Sequence, residues 1–568
     1  MQIERDVEIP MSDGIVLRAD VFRPDGDGTH PVLISYGGYG KGLHLKDGYP
    51  GAWEDIVKRT PDVLEGSSGE HMVWELPDPE FWVPFGYVLI RVDARGTGMS
   101  PGLLNTMSPQ EGDDVYECVE WAAAQRWSTG RVGLSGISYM AIVQWFVACR
   151  QPPHLDAICV WEGAADWYRD VSRHGGILST FPRFWFPTQV LPVQYGIGSR
   201  GRRSPTSGLQ VSGGPELSDE ELAQNRVDLS VGMAENPFDG EVYRERSLDP
   251  ERQRTPLLSA ANWGGQGLHL RGNIEGFVHS ATEQKWLEVH GDNHWANFYR
   301  PAGRQLQKRF YDHFLRDTGD WLSQPPVQLQ VRHPGERFET RFEDAWPIPR
   351  TQWTEKFLDV SEHALVDAVP APGQQSYAAL GEGVTFLTAT LEGKTEITGP
   401  LAATLWISSS TTDADVFLVL RLFDSAGEEV LFRGSVDPAM PLTLGWLRAS
   451  HRAVDPHRSE PYRPFHPHDH AEPLDPGVPY ELQIEVLPTC IVAPAGFRLG
   501  LTVLGRDFDH GRSEAVMTTT GLAMSGVGPF QHDDSNDRPA EIFDNEVTIY
   551  TGPEHPSRLL VPIIPPES

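Results

Sequence analysis

The chain has 568 residues, of which 39% are apolar and 22% charged; this composition is ordinary for a globular protein, and the length is too great for one hydrophobic core. Its 47 Lys and Arg residues are outnumbered by 79 Asp and Glu residues, and the formal net charge is −32. Such an acidic surface repels phosphate backbones and anionic lipids, which disfavours binding to nucleic acid or to a membrane surface.

The sequence shows no targeting, membrane or metal-binding signal. The first residues, MQIERDVEIPMSDG, are charged and lack the apolar region of a secretory signal. No apolar run approaches the roughly 20 residues that span a bilayer. The four cysteines have no CxxC spacing, and we expect buried free thiols. These features predict a cytoplasmic protein without a cofactor or metal.

Strand and helix patterns alternate through the first part of the chain. Asp13-Gly14 separates two strand-like runs and predicts a hairpin. Short apolar runs predict strands at 31–36, 87–93, 131–135, 156–161, 256–261 and 285–290, and helical spacing predicts helices at 110–125, from Tyr139 onward and at 304–315. This alternation predicts an α/β domain made of residues 1–165 and 255–320.

Two other segments differ from this α/β pattern in composition and in the spacing of their apolar residues. Residues 166–254 are rich in aromatic residues, Pro and Gly, and then carry a capping box at Ser218 and Glu221, which predicts a helical cap inserted into the α/β domain. Residues 327–568 contain short strand-like runs separated by turns, and we expect them to form an all-β jelly roll. The Pro325-Pro326 pair marks the predicted boundary.

The segment VGLSGISYMA, residues 132–141, contains two candidate nucleophiles, Ser135 and Ser138. A serine hydroxyl becomes reactive when a base removes its proton and the chain presents it at a strained strand-to-helix turn. Ser138 follows Gly136 and begins the helical run, whereas Ser135 ends the strand, so the spacing favours Ser138. Neither serine fits a strict G-x-S-x-G pattern, and an ordinary Ser-rich turn is the alternative interpretation.

Two further segments fit a nucleophile at this turn. SYGGYGKG, residues 35–42, follows the third predicted strand, where a hydrolase of this kind supplies a donor to the oxyanion. LEVHGDNHW, residues 287–295, follows the last predicted strand and supplies His290 and His294. His290 ends the strand itself, whereas His294 lies in the loop, so His294 is the better candidate base.

These segments, together with VDARGTGMSPG and the C-terminal β region, resemble the cocaine esterase-like (CocE/NonD) hydrolases of the X-prolyl dipeptidyl-peptidase clan. The resemblance covers nearly the whole chain and implies an α/β-hydrolase core, a helical cap and a jelly roll. The family motif G-x-S-Y-x-G maps onto residues 136–141, with Ala141 in place of the final Gly. It implies Ser138 as nucleophile, His294 as base, and the Tyr39 hydroxyl and Tyr139 N–H as oxyanion donors.

The acid of the family pattern is missing from its usual place. It would follow the seventh strand, where this sequence reads AANWGGQGLHLRG without a carboxylate. A histidine without an acid partner loses control of its tautomer and stabilisation of its imidazolium. Three carboxylates between Ser138 and His294 are candidates: Asp166, Glu275 and Asp292. Asp166 has a helix cap as its alternative role, and Asp292 a turn.

The favoured function is a cofactor-free serine hydrolase that cleaves a small-molecule carboxylic ester through an acyl-enzyme. An X-Pro dipeptidyl-peptidase or an amide or lactam acylase of the same fold is one alternative. A catalytically dead carbohydrate-binding protein is the alternative from another class. Self-association into a homo-oligomer is compatible with this architecture, and the sequence leaves the oligomeric state open.

Two other groups of residues have competing interpretations. The aromatic run Phe181, Phe184, Trp185 and Phe186 is interpreted either as an acyl pocket or as the core of the cap. His466, His468 and His470 alternate with Pro and Asp, and a solvated loop is favoured over a metal site.

Overall fold

The computed structural model describes residues 1–511 and 523–566. A ten-stranded sheet organises its N-terminal part. The strands are β1 (Gln2–Pro10), β2 (Val16–Arg23), β3 (His30–Gly37), β4 (Val88–Asp93), β5 (Ser128–Ile137), β6 (Leu155–Trp161), β7 (Leu257–Asn262), β8 (Lys285–His290), β9 (Val327–His333) and β10 (Arg337–Glu343). Their order in the sheet is β1-β2-β4-β3-β5-β6-β7-β8-β9-β10, parallel from β4 to β9 and antiparallel at both edges.

Helices connect the parallel strands, as the alternating pattern predicts. In the part of the chain that the structure describes, the α-helices are α1 (Leu45–Gly48), α2 (Pro50–Arg59), α3 (Pro79–Trp82), α4 (Pro109–Ala123), α5 (Tyr139–Ala148), α6 (Phe181–Trp185), α7 (Asp219–Gln224), α8 (Leu229–Glu235), α9 (Glu241–Arg244), α10 (Leu270–His279), α11 (Ala296–Tyr299), α12 (Pro301–Arg316) and α13 (Ala540–Phe543). The central strands are buried on both faces. Ile34 of β3 packs in the cluster that contains α4 and α5, and its neighbour Leu33 packs in the cluster that contains α12.

The segment between β6 and β7 is an insertion of short elements. It contains α6 to α9, two-residue strands and the π-helical turns Trp167–Ser172 and Phe186–Val190. The capping box at Ser218 and Glu221 begins α7, as predicted. The insertion therefore interrupts the α/β alternation without adding a strand to the sheet.

The described residues of the C-terminal part form an eleven-stranded sheet. Its strands are β11 (Gln352–Asp359), β12 (Ala364–Val366), β13 (Gly373–Ala378), β14 (Val384–Thr388), β15 (Thr395–Ser409), β16 (Asp415–Phe423), β17 (Thr443–Arg448), β18 (Tyr480–Ala493), β19 (Arg498–Leu504), β20 (Glu546–Thr551) and β21 (Arg558–Ile564). Strand β21 pairs with both β11 and β15, and these pairings close the sheet into a β-barrel. The N-terminal α/β domain is thus followed by a C-terminal β-barrel domain.

The boundary between the two sheets differs from the predicted one. Residues 327–343, which the sequence pattern assigned to the C-terminal domain, form β9 and β10 and extend the first sheet. Strand β9 pairs in parallel with β8, Leu287 with Val327 and Val289 with Leu329, and both of these β9 residues are fully buried. The apolar positions of β9 complete the core beside β8, which places this strand in the first sheet. The second sheet begins at Gln352.

All four cysteines are free and buried. Over residues 1–511 and 523–566, no helix has the length and apolar character required to cross a membrane.

Candidate active site

Ser138 lies at the turn between β5 and α5. Its backbone has φ 58° and ψ −113°, a conformation that L-residues seldom adopt and that costs about 1–3 kcal/mol. Two backbone hydrogen bonds hold the turn, from Ile137 N to the Glu75 carbonyl (3.1 Å) and from Ser138 N to the Trp161 carbonyl (3.1 Å). Ser138 is half-buried, whereas Ser135 is fully buried within β5. The turn therefore presents Ser138 and encloses Ser135.

His294 lies in the loop after β8 and is buried in the same region as Ser138. Its Nδ1 is 2.8 Å from Oε2 of Glu162, and its Nε2 is 2.9 Å from Oε1 of Glu75. Burial by itself lowers the pKa of His294, but the two carboxylates outweigh this effect and raise the pKa to about 10. The ring is thus held between two acids.

Glu162 directly follows β6, and it is the carboxylate that orients His294. Its Oε1 accepts hydrogen bonds from His290 (3.1 Å) and Asn262 (3.1 Å), and its Oε2 accepts a further bond from Ser435 (3.0 Å). Burial raises the pKa of Glu162, but His294 and His290 lower it well below its usual range. Glu162 is therefore a charged, fully bonded acid in the position that a triad requires.

None of the three carboxylates considered as partners of His294 forms a hydrogen bond with it. Each is engaged by other groups: Asp166 with Arg169, Glu275 with His279 and Arg463, and Asp292 with Arg300 and Arg433. Asp166 accepts a hydrogen bond from Arg169 N, its predicted capping role. The carboxylate that bonds Nδ1 of His294 does follow the sixth strand, but it belongs to Glu162, four residues before the candidate Asp166.

The end of the seventh strand carries an amide donor to Glu162. Asn262 ends β7, and its amide nitrogen bonds both Oε1 of Glu162 and the Asp292 carbonyl (2.9 Å). An acid at this position would face Glu162 across the ends of two neighbouring strands. Asn262 thus supports the Glu162 carboxylate from the end of the neighbouring strand.

Of the two predicted oxyanion donors, Tyr139 directly follows Ser138, and Tyr39 lines the same cavity as Ser138. The Tyr39 hydroxyl accepts a hydrogen bond from the Trp185 indole (2.9 Å), which leaves its own proton free to donate. Burial raises the pKa of Tyr39 well above its ordinary value, so the hydroxyl stays neutral. Tyr139 is the first residue of α5, where a backbone N–H has no acceptor within the helix, and its side chain bonds Glu111.

Ser138, His294 and Tyr39 line one cavity. Its other walls are mostly apolar and aromatic, and include Trp74, Met107, Ile142, Trp167, Phe181, Trp185, Leu268 and Phe530. Of the predicted aromatic run, Phe181 and Trp185 line this cavity, while Phe184 and Phe186 do not. The lining is that of a pocket for a largely apolar molecule.

The C-terminal domain completes the site. Ser435 lies in the loop between β16 and β17. Its hydroxyl donates a hydrogen bond to Glu162, and its carbonyl accepts one from the backbone N–H of His294 (2.9 Å). Val436, Pro529 and Phe530 also line the cavity. The sequence of the α/β domain does not predict that residues of the C-terminal domain line this cavity.

Two further residues of the site lack a motif. Glu75 interrupts the apolar run MVWEL in the long loop between β3 and β4, and an isolated acid in such a run is the one available signal. His269 stacks on His294 with ring centres 5.3 Å apart and bonds the Gly163 carbonyl (3.1 Å). Burial, together with the charge of His294, lowers the pKa of His269 to about 3, so its ring is neutral.

The His466–His470 loop differs from the expectation of a solvated loop. His466 and His468 are buried. His466 bonds the Ala453 and Gln483 carbonyls, and His468 lies 3.1 Å from the ring nitrogen of His451. These two rings pack between the domains, and His470 alone is exposed.

A sheet of this order with a strained serine turn after β5 is the α/β-hydrolase arrangement, and the fold and site define a hydrolase. Residues 13–296 match the X-Pro dipeptidyl-peptidase (S15 family) model, and residues 320–560 match the model of that peptidase's C-terminal non-catalytic domain. The chain belongs to this family.

Similar proteins agree with the assignment. Cocaine esterase from Rhodococcus sp. is 24% identical over 99% of this chain and 98% of its own length. The structure of a CocE/NonD family hydrolase from Staphylococcus aureus is 32% identical, covers 99% of this chain and 94% of its own, and has a TM-score of 0.84. An aminopeptidase from a marine sediment archaeon shares the fold at 16% identity, with a TM-score of 0.69.

Proposed function

We propose that this protein hydrolyses carboxylic esters through an acyl-enzyme formed on Ser138. One observation carries the proposal: Ser138, at a strained turn, faces the same buried cavity as His294, and Glu162 holds Nδ1 of that histidine. The absence of an acid after the seventh strand is the argument for a non-catalytic protein. Glu162 answers that argument, because it supplies a carboxylate to Nδ1 of His294. Jelly-roll topology of the barrel, location in the cytoplasm and self-association remain predictions from the sequence.

In the first step, His294 takes the Ser138 proton on Nε2 while Oγ bonds to the ester carbonyl carbon. The carbonyl oxygen becomes an oxyanion that the Tyr39 hydroxyl and the Tyr139 N–H stabilise, and one such donor is worth about 2.7–4 kcal/mol. The imidazolium then gives its proton to the leaving alcohol as the C–O bond breaks. Water repeats the sequence, releasing the acid and restoring Ser138.

The cavity supports a small-molecule substrate with apolar substituents. Its aromatic walls offer contact area but few hydrogen-bonding groups, which suits esters better than sugars or peptides with many polar groups.

A fluorophosphonate probe tests the proposal directly, because it labels activated serines. We expect the wild-type protein to be labelled, Ser138→Ala to lose the label, and Ser135→Ala to keep it. Both variants remove one hydroxyl from the same ten-residue segment, so they are matched. Labelling that persists in Ser138→Ala would contradict the assignment, and a wild type that stays unlabelled at every pH, alkaline pH included, would exclude catalysis by an activated serine.

A second candidate function is cleavage of an X-Pro amide with a free α-ammonium. Glu75 favours it, because this buried carboxylate lines the cavity and its Oε2 has no hydrogen-bond partner within the described protein. Hydrolysis of 4-nitrophenyl butyrate and of Ala-Pro-4-nitroanilide decides between the two. We expect the ester to be preferred; a higher kcat/KM for the anilide, lost in Glu75→Gln, would favour the peptidase.

A further inference from the structure

Both ring nitrogens of His294 are occupied by carboxylates. Nδ1 contacts Glu162 and Nε2 contacts Glu75, whereas the Ser138 hydroxyl makes no hydrogen bond with any residue that the structure describes. A serine base needs Nε2 free of its proton and directed at the hydroxyl. In this arrangement Nε2 is directed at Glu75 instead.

We propose that Glu75 competes with the Ser138 hydroxyl for Nε2 of His294, and that it holds the base away from the nucleophile in the resting protein. The proposal rests on the proposed function and assigns Glu75 a positioning role. Hydrolysis begins only when this contact is broken or its proton is lost.

The fold places the Glu75 carboxylate at this position. Glu75 has a left-handed backbone (φ 65°), and its carbonyl accepts the hydrogen bond from Ile137 N at the end of β5. On either side, the Tyr299 hydroxyl bonds the carbonyls of Val73 (3.2 Å) and Leu76 (2.9 Å). The residue is only 3% exposed. The backbone that carries the Glu75 carboxylate is therefore fixed to the same turn as the nucleophile.

Charged and titratable groups face His294 from every element around it. Glu162 follows β6 and is charged, and Glu75 comes from the loop before α3. His269, before α10, is neutral because burial lowers its pKa. His290, on β8, bonds Glu162 and Glu288, and these acids outweigh burial and raise its pKa to about 9. The acids therefore favour a protonated His294 at neutral pH.

The consequence is a conflict between stability and activity at Nε2. Breaking the His294–Glu75 contact while both groups are charged leaves a buried carboxylate without a partner, which is costly. Burial raises the pKa of Glu75, partly offset by His294 and the nearby Trp74 indole, so a proton on either group keeps the contact. Loss of that proton at high pH, or loss of the carboxylate, frees Nε2 for Ser138.

The pH dependence of wild-type activity is the first test. Neutral 4-nitrophenyl butyrate as substrate and the rate of fluorophosphonate labelling both report the protonation of the base. We expect both rates to fall as the pH falls through a limb lying at least one unit above 6.5, the ordinary histidine value. A limb at or below 6.5 would overturn the proposal, and this measurement does not depend on whether a variant folds.

Glu75→Gln is the second test, with Asp78→Asn as control. Asp78 is a buried acid of the same loop with a raised pKa, and it does not contact His294. Removing an adjacent opposite charge should move the acid limb of Glu75→Gln down by about 1–3 units. At a pH below both limbs its rates should exceed the wild-type rates by about tenfold for each unit moved. The limb of Asp78→Asn should coincide with that of the wild type.

A folded Glu75→Gln with an unmoved limb, or with labelling abolished at every pH, overturns the proposal. An equal movement of the limb in Asp78→Asn also overturns it, since the effect is then not specific to the Nε2 contact. Failure of the proposed function looks different, because the wild-type protein then shows neither labelling nor hydrolysis.

Discussion

Glu162 is the residue on which the chemistry of the site depends. It is fully buried and accepts side-chain hydrogen bonds from His290, Asn262, His294 and Ser435. A buried carboxylate is tolerated only when its charge and lone pairs are matched, and these donors match them. In the proposed mechanism, Glu162 orients the base His294 and stabilises its imidazolium.

Glu162→Gln should therefore be a severe catalytic variant. A glutamine cannot stabilise the imidazolium, and the corresponding change in a serine protease costs about 10⁴ in rate. We expect a comparable fall in kcat for ester hydrolysis, with the protein still folded by circular dichroism. Asp166→Asn, four residues further along the same loop and still able to cap, should stay within about twofold of wild type. Equal losses in the two variants would contradict the assignment of Glu162.

The sequence predicted the nucleophile and base positions better than the acid. Ser138 directly follows β5 and His294 lies four residues after the end of β8, close to strands that the sequence pattern indicates, and both line one cavity. Glu162 also ends a strand, but a carboxylate there has many alternative roles, and only the facing side chains show its partner. Glu75 comes from the 50-residue connection between β3 and β4, whose path no local pattern specifies.

At the scale of elements, the strand-to-helix turn depends on close packing of β5 against α5. Gly136 has φ 146°, and a Cβ atom built on it would lie 2.5 Å from Cβ of Met140 in the first turn of α5. The backbone of a helix turn cannot move away without moving the serine between them. The glycine is thus required by the turn itself.

Gly136→Ala should impair both stability and activity. Strain and overlap at this position should cost about 1–3 kcal/mol of unfolding free energy. Displacement of Ser138 by about 1 Å should lower kcat/KM by about 10²-fold. Gly393→Ala is the control, since Gly393 is exposed and nothing lies within 4 Å of its added Cβ. Urea denaturation and the fluorophosphonate labelling rate measure both effects; wild-type labelling by Gly136→Ala would refute this requirement.

At the scale of the whole molecule, the two domains share a site and a core. Composition predicted two architectures and placed their boundary near Pro325, but pairing across β8 and β9 carries the first sheet to Glu343. A change in texture locates the start of a β-rich region and not the sheet that its first strands join. Ser435 and Phe530 lie far from Ser138 in the sequence and reach the cavity only because the barrel packs against the α/β domain. Their place in the site could therefore not be predicted from local sequence patterns.

Arg332 of β9 is the residue we expect to matter most for that docking. It is 2% exposed, its Nε bonds the Cys490 carbonyl (3.0 Å), and its Nη2 bonds the Leu442 carbonyl (3.1 Å) and Thr489 Oγ1 (2.9 Å). No acid bonds this guanidinium within the described residues, and burial lowers its pKa to about 10. The barrel's backbone oxygens therefore solvate a cation that projects from the α/β sheet.

Arg332→Met should destabilise the protein by about 3 kcal/mol, because it removes three buried hydrogen bonds to the barrel, two of them to residues of β18 and one to the Leu442 carbonyl just before β17. The loss should reach the active site, since Ser435 is held in place by the docked barrel, and the labelling rate of Ser138 should fall together with the urea midpoint. Arg337→Met, on the exposed edge strand β10, removes the same charge without a buried partner and should leave both measurements unchanged. If Arg332→Met unfolds at the wild-type midpoint, methionine packing compensates fully for the lost hydrogen bonds, and the docking does not depend on the cation.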